Sequence, residues 1–173
     1  MLHNGVLILG GAASGKSEWA ENLTEKYDLP MTYIATGQIF DDETKKRVKV
    51  HQSRRDHRWT THETPLKPHE VLRGLRPETV ALIDCATMWL HNHMMAGSAL
   101  QAAQTDLLEG LAACTAPWII VSNEVGHGIV PQNALAREFR EAQGRLNIAL
   151  AAQAELVVNV IAGLPQVLKG QLP

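Results

Sequence analysis

The sequence predicts an α/β fold, a mostly parallel sheet with helices on both faces, and three observations predict it. Near-continuous apolar runs recur along the chain: Val6-Leu7-Ile8-Leu9, Met31-Thr32-Tyr33-Ile34-Ala35, Val80-Ala81-Leu82-Ile83, Trp118-Ile119-Ile120-Val121 and Leu156-Val157-Val158-Asn159-Val160-Ile161. Runs of this length without apolar/polar alternation are what strands buried on both faces look like. Longer segments of helical period lie between them, the alternation that gives parallel sheets. A glycine-rich turn joins the first run to the first helical pattern. With 173 residues the chain holds one full core and is short for two, so residues 1–173 are expected to form a single domain.

Composition narrows the partners. Apolar residues are 45% and charged residues 20%, ordinary for a globular protein, and a net charge of −2 gives no global electrostatic case for nucleic acid. Met1-Leu2-His3-Asn4 runs straight into the first strand, which reads as no signal peptide, and no apolar stretch reaches spanning length. Cys85 and Cys114 sit in apolar surroundings and suggest no disulfide framework. The expectation is a reduced, cytoplasmic protein with no membrane insertion.

Val6–Leu9 is the first strand, and the turn after it reads Gly10-Gly11-Ala12-Ala13-Ser14-Gly15-Lys16-Ser17. The spacing G-x-x-x-x-G-K-S between a strand and a helix fits a phosphate-binding P-loop. Small residues let backbone N–H groups turn inward around an anion, and the following helix adds its free amides and dipole. Lys16 then reaches the β- and γ-phosphates, and the Ser17 hydroxyl ligates Mg²⁺. Trp19, Leu23 and Tyr27 make an i, i+4, i+8 stripe on that helix, which Leu29-Pro30 ends. Met31–Ala35 is the second strand, broken by Thr36-Gly37. Ligands bind at the carboxyl ends of strands in open parallel sheets, so Thr36 and Gly37 are candidate site residues.

From Asp41 to Arg55 three acids precede a run of bases, the charge order of a helix running in this direction. On such a helix Arg47, Arg54 and Arg55 surround His51, a place to hold phosphate and present an imidazole nitrogen. Spacing alone favours a solvated basic helix with an incidental histidine, because charge runs usually face solvent. Residues 56–79 read as an irregular excursion with a short helix near Pro68–Leu75. Within it Glu63 is either a hydrogen-bond acceptor for a base or ribose, or a solvated turn residue.

Val80–Asp84 is the third strand. Four apolar residues ending in an acid, downstream of a P-loop, resemble the element whose carboxylate serves the P-loop Mg²⁺. Met88, Trp89 and Leu90 read as packing residues, and His91 and His93 lack the further ligands a metal site needs. A helix over Ser98–Cys114 places Leu100, Ala103, Leu107 and Leu111 on one face. Trp118–Ser122 is the fourth strand, and a Gly-punctuated polar loop follows from Asn123 to Pro131. A helix over Gln132–Gln153 points Leu135, Phe139, Ala142, Leu146 and Leu150 inward, Leu156–Ile161 is the fifth strand, and a short strand falls around Val167–Lys169.

Together these stretches resemble the bifunctional adenosylcobinamide kinase/adenosylcobinamide-phosphate guanylyltransferases. The matching residues are Gly10–Ser17, Tyr33–Thr36, Asp41–Glu43, Arg47–Arg55 around His51, Trp59, Glu63, Asp84-Cys85, Trp89 and Asn92. The run from Val121 through Gly128-Ile129-Val130-Pro131 to Asn147, and Ala162–Pro165, complete the match. The resemblance implies the P-loop NTPase (RecA-like) three-layer architecture and two reactions. In one, ATP or GTP phosphorylates adenosylcobinamide. In the other, a histidine takes GMP from GTP and passes it to adenosylcobinamide phosphate. The guanylylated histidine of the family falls on His51. Its nucleotide contacts fall on Gly10, Gly11, Ala12, Ala13, Ser14, Gly15, Lys16 and Ser17, on Ala35, Thr36 and Gly37, on Gln52, Ser53, Arg54 and Arg55, and on Glu63 and Asp84. The resemblance also implies a homo-oligomer, with a trimer as precedent. Two positions depart from the family. Ala13 stands where an Arg is usual in the P-loop, removing a cation near the phosphates, and His91-Asn92-His93 stands where Thr-Asn-Leu is common. A P-loop kinase without guanylyl transfer, or a nucleotide-binding regulator, explains the P-loop and Asp84 but leaves His51 and Val121–Asn147 without a role.

Overall fold

The computed structural model describes residues 2–38 and 55–173. Its elements are β1 (Gly5–Gly10), α1 (Lys16–Glu25), β2 (Met31–Ala35), β3 (Trp59–Glu63), α2 (Pro68–Arg73), β4 (Val80–Asp84), α3 (Ala86–Met95), α4 (Leu100–Ala113), β5 (Trp118–Asn123), α5 (Ala134–Gln153), β6 (Leu156–Ile161) and β7 (Leu164–Lys169). These strands form one sheet in the order β3-β2-β4-β5-β1-β6-β7. Every pairing is parallel except β6 with β7.

The apolar runs fill both faces. On one side Val6, Ile8, Leu82, Ile119, Val121 and Val158 pack under Ala20 and Leu23 of α1. On the other, Leu7, Ile34, Ile83, Ile120 and Val157 meet Leu72, Trp89, Leu107, Leu111, Leu146 and Leu150 from α2 to α5. Each such side chain taken out of water contributes about 1.5–3 kcal/mol, which is why a strand with two buried faces has no room for polar alternation. Trp89 and Leu90 are core residues as expected, and Met88 packs at the margin.

Four expectations are corrected. Trp59–Glu63 is not irregular: it is β3, parallel to β2 from Met31↔Trp59 to Ala35↔Glu63. It lies at the sheet edge with its side chains largely exposed, so it carries no apolar run. The last strand spans Leu164–Lys169, longer than the Val167–Lys169 stretch, and closes a hairpin with β6 across Ala162 and Gly163, both at positive φ (52° and 77°). That pair of left-handed residues is the two-residue turn whose twist suits a hairpin, and Pro165 is tolerated because β7 is an edge. The long helix starts at Ala134, where the Asn133 side chain accepts from Ala136 N at 3.1 Å as an N-cap. Leu135 is 48% exposed rather than inward, since it sits in the first turn and core packing starts at Phe139. The helix expected over 41–55 lies, apart from Arg55, outside the described residues.

Candidate active site

The carboxyl ends of the parallel strands meet at one edge, and nearly every described site candidate lies there. Ala35 is in register with both Glu63 and Asp84, so β3, β2 and β4 end level. Gly10 is in register with Asn123 and Val160, which ends β1 level with its neighbours β5 and β6. Only β5 separates β1 from β4. Asp84 is opposite Val121, two residues before the Asn123 that faces Gly10, so at the usual strand spacing and rise the P-loop and Asp84 are about 12 Å apart, room for a phosphate chain between them.

The P-loop is shaped by close approach and by left-handed backbone. A Cβ on Gly10 would come within 2.8 Å of the Val160 carbonyl oxygen and 2.4 Å of Ser14 Oγ. Ala13 has φ 53°, and Gly15, the residue before α1, has φ 90°. Gly15 also lies against the hairpin: its Cβ position is 3.1 Å from Gly163 Cα, and Gly163 N–H donates to the Ser14 carbonyl at 2.8 Å. The β6–β7 turn thus braces the P-loop from the side. Lys16 Nζ donates to the Gly11 carbonyl at 3.1 Å, which folds the amine back over the loop.

Two observations fit a bound polyphosphate. Ser14 Oγ is buried without a hydrogen-bond partner, and a buried hydroxyl in that state is one a ligand would satisfy. The first-turn amides of α1 have no intrahelical acceptors, as at any helix start. Mg²⁺ also fits the donors present. Ser17 supplies a hydroxyl in the first turn of α1 and Asp84 a carboxylate at the end of β4. Mg²⁺ is usually held by one or two such oxygens plus substrate phosphates and water rather than by a protein cage. Among the described residues there is no cluster of three His, Cys, Asp or Glu for such a cage.

Asp84 is held by its surroundings. Tyr33 lies opposite Leu82, so its side chain leaves the sheet on the same face as Asp84, the α1 face. Tyr33 Oη donates to Asp84 Oδ2 at 3.0 Å. Burial, and then the charge of Asp84, raises the Tyr33 phenol far above its ordinary pKa. The Arg55 guanidinium lies over the Tyr33 ring, 3.3 Å from its centroid, and the Trp59 ring meets the same ring edge-on at 6.3 Å. The peptide bond after Asp84 is cis, and burial pushes the Cys85 thiol up to about 12.

Thr36, another of the candidate residues, joins two strand ends. It is fully buried; its hydroxyl donates to the Cys85 carbonyl and accepts from Cys85 N–H, both at 2.7 Å. Its own carbonyl accepts from Asn92 Nδ2 at 2.8 Å, and that amide also reaches the Pro65 carbonyl at 3.1 Å. Thr36 therefore ties the end of β2 to the end of β4, and Asn92 ties both to the chain after β3. Gly37 and Glu63 are exposed at the edge. His51, Gln52, Ser53 and Arg54 lie outside the described residues.

A buried polar network behind β5 was not anticipated. Ser122 Oγ donates to Asn147 Oδ1 at 2.6 Å, and Gln143 Nε2 reaches Ser122 Oγ and Asn147 Oδ1, each at 2.9 Å. Asn147 Nδ2 donates to the Asn123 carbonyl, Asn123 N–H donates to Thr87 Oγ1 at 2.8 Å, and Glu124 N–H donates to the Gly10 carbonyl. This chain of bonds sets the end of β5, the floor between the P-loop and Asp84. The loop that follows is tied to α5 by Arg140, which donates to the Gly126 carbonyl, and by Arg137, which donates to the Pro131 and Gln132 carbonyls at 2.9 and 2.6 Å. A polar residue buried in a helix face looks like a surface residue in the sequence. The available signal was that Gln143 and Asn147 stand i, i+4 apart on the face of Phe139, Leu146 and Leu150.

The family described as cobinamide kinase / cobinamide phosphate guanyltransferase matches residues 6–168. The bifunctional adenosylcobalamin biosynthesis protein CobP of Pseudomonas aeruginosa is 40% identical over 168 residues, covering 95% of this chain and 97% of that one. The bifunctional adenosylcobalamin biosynthesis protein CobU of Salmonella typhimurium is 38% identical over 176 residues, covering 92% and 96%. Among solved structures, the RadB recombinase superposes with a TM-score of 0.55 at 13% identity, over 91% of this chain and 74% of its own. That likeness carries the fold alone: an α/β P-loop architecture of the RecA-like kind.

Proposed function

The chain belongs to the cobinamide kinase / cobinamide phosphate guanyltransferase family, and from that premise we propose that it phosphorylates adenosylcobinamide with ATP or GTP and then guanylylates the product through His51. It is a nucleotide-binding transferase of cobalamin biosynthesis. The observation that most supports the two-step reading is that the P-loop, Glu63 and Asp84 share the carboxyl edge of the sheet, with Arg55, four residues after His51, stacked on the Tyr33 ring beside Asp84.

In the kinase step Lys16 and the P-loop amides hold the β- and γ-phosphates, and the arm hydroxyl of adenosylcobinamide attacks the γ-phosphorus. Mg²⁺, held by Ser17 and Asp84, supplies charge neutralisation on those phosphates when bound. In the second step the neutral imidazole of His51 attacks the α-phosphorus of GTP. The N–P bond forms as the bond to the bridging oxygen breaks, and pyrophosphate leaves. A phosphate oxygen of the substrate then attacks the same phosphorus and the N–P bond breaks, returning the imidazole. Arg54 and Arg55 offset charge developing on the α-phosphate, while Ala35, Thr36, Gly37, Gln52, Ser53 and Glu63 contact the nucleotide. The corrinoid is large for a 173-residue chain, which supports a homo-oligomer, a trimer by the family precedent, of single-domain subunits in the cytoplasm.

Substituting His51 by Ala is expected to leave phosphorylation of adenosylcobinamide intact and abolish GMP transfer, whereas Lys16→Ala loses both. A His51→Ala protein that still forms adenosylcobinamide-GDP contradicts the histidine route.

A further inference from the structure

The Tyr33 hydroxyl has no role in either step as described, yet it belongs to a buried side chain on the α1 face of the sheet. The ring fills core space that a phenylalanine would fill equally well. What the oxygen adds is one hydrogen bond, 3.0 Å to Asp84 Oδ2. We propose that Tyr33 is a positioning residue for Asp84, fixing the plane of its carboxylate, and that the Arg55 guanidinium stacked on the ring holds the phenol in place.

The register produces the contact. Ala35 is opposite Asp84 and Tyr33 opposite Leu82, so Tyr33 reaches Asp84 along the diagonal on a shared face. Asp84 ends its strand, where the side chain is least confined by neighbours along the chain. A donor bonded to one carboxylate oxygen removes rotation about the last torsion and presents the group in one orientation. The donor is itself held on two sides, by Trp59 edge-on at 6.3 Å and by Arg55 over the face at 3.3 Å. A cation over a phenol ring draws electron density from it and makes its O–H a stronger donor. Arg55 also reaches Thr61 Oγ1 at 3.5 Å on β3. The edge strands β3 and β2, Arg55 and Asp84 are thus linked through one phenol.

The inference rests on Asp84 serving Mg²⁺, as read above, and the test separates the two. GTP affinity is measured by calorimetry in EDTA and across a Mg²⁺ titration for wild type, Tyr33→Phe, Asp84→Asn and the double variant. Tyr33→Phe is expected to bind GTP in EDTA within about twofold of wild type. Its gain in affinity on adding Mg²⁺ should shrink by about tenfold, the size of one hydrogen bond to a charged group. The double variant should be no worse than Asp84→Asn, because the hydroxyl acts only through that carboxylate. A second measurement with Mn²⁺ in place of Mg²⁺, counting bound ion by spin resonance, reads the metal directly. An unchanged Mg²⁺ response in Tyr33→Phe overturns the proposal, as does an equal loss with and without the ion, which would make the ring a packing group only. If Asp84→Asn itself keeps the full Mg²⁺ response, the metal assignment of Asp84 fails and the positioning role falls with it, while P-loop nucleotide binding stands.

Discussion

Gly15→Ala tests whether the P-loop shape is set by the chain or imposed by its ligand. Gly15 has φ 90° and ψ 3°, a conformation that costs an L-residue about 1–2 kcal/mol. The new methyl would lie 3.1 Å from Gly163 Cα and 4.0 Å from Val160 Cγ1. Backbone is on the other side of the closer contact, so the hairpin turn must shift, and the Gly163 N–H bond to the Ser14 carbonyl at 2.8 Å shifts with it. Weakening that bond adds about 0.5–1 kcal/mol. The sum is about 1.5–3 kcal/mol, a fall of roughly 3–12 °C in Tm for a chain of this length. If the strain is instead relieved by distorting the loop, it appears as GTP binding roughly 10- to 150-fold weaker. Gly11→Ala is the control for stability, since nothing lies within 4 Å of its Cβ and its φ is not positive. Thermal unfolding and GTP titration on both variants decide. A Gly15→Ala protein with wild-type Tm and wild-type GTP affinity would refute the reasoning.

Other consequences follow from the same geometry. Asn92→Ala removes the donor to the Thr36 and Pro65 carbonyls, and unfolding in urea should show a loss of about 2–3 kcal/mol. Asn147→Ala and Gln143→Ala each break the network behind β5; each should cost about 1–3 kcal/mol, and the double variant should cost less than their sum. Burial raises the Tyr27 phenol from 10.0 to about 12. A raised folded pKa means the folded state keeps the proton longer, so this contribution is complete below pH 10 and is lost as pH rises from 10 to 12. Stability measured across that window should fall less steeply in Tyr27→Phe than in wild type. Cys85, whose thiol is buried and pushed up to about 12, should resist alkylation in the native state at pH 8 and react only on unfolding.

What could be read from the sequence depended on how each element is stabilised. β1, β2, β4, β5 and β6 owe their place to burial on both faces, and burial writes itself into the chain as apolar runs. β3 owes its place to backbone pairing with β2 at the edge, so Trp59-Thr60-Thr61-His62-Glu63 carries only a faint β-branched signature. Leu135 matches the helical stripe of α5 but falls in the first turn, where periodicity continues and packing has not begun. Within the site, the P-loop and Asp84 were legible because their chemistry demands fixed residue types at fixed spacing. Thr36 was legible as the end of a strand, and only the fold shows its hydroxyl bonded twice to Cys85. Tyr33, Thr87, Gln143 and Asn147 act through partners 21 to 51 residues away in sequence, and a contact at that distance leaves no local pattern. The proposal for His51 rests on family resemblance, since its spacing alone favours a solvated helix.

The central claim, a histidine that carries GMP, is tested most directly by the mass of the intact protein after incubation with GTP and Mg²⁺, followed by peptide mapping at neutral to alkaline pH. The account predicts one added GMP on the peptide containing His51, lost on mild acid treatment and absent from His51→Ala. GTP binding with no adduct, or an adduct that persists in His51→Ala, would contradict it.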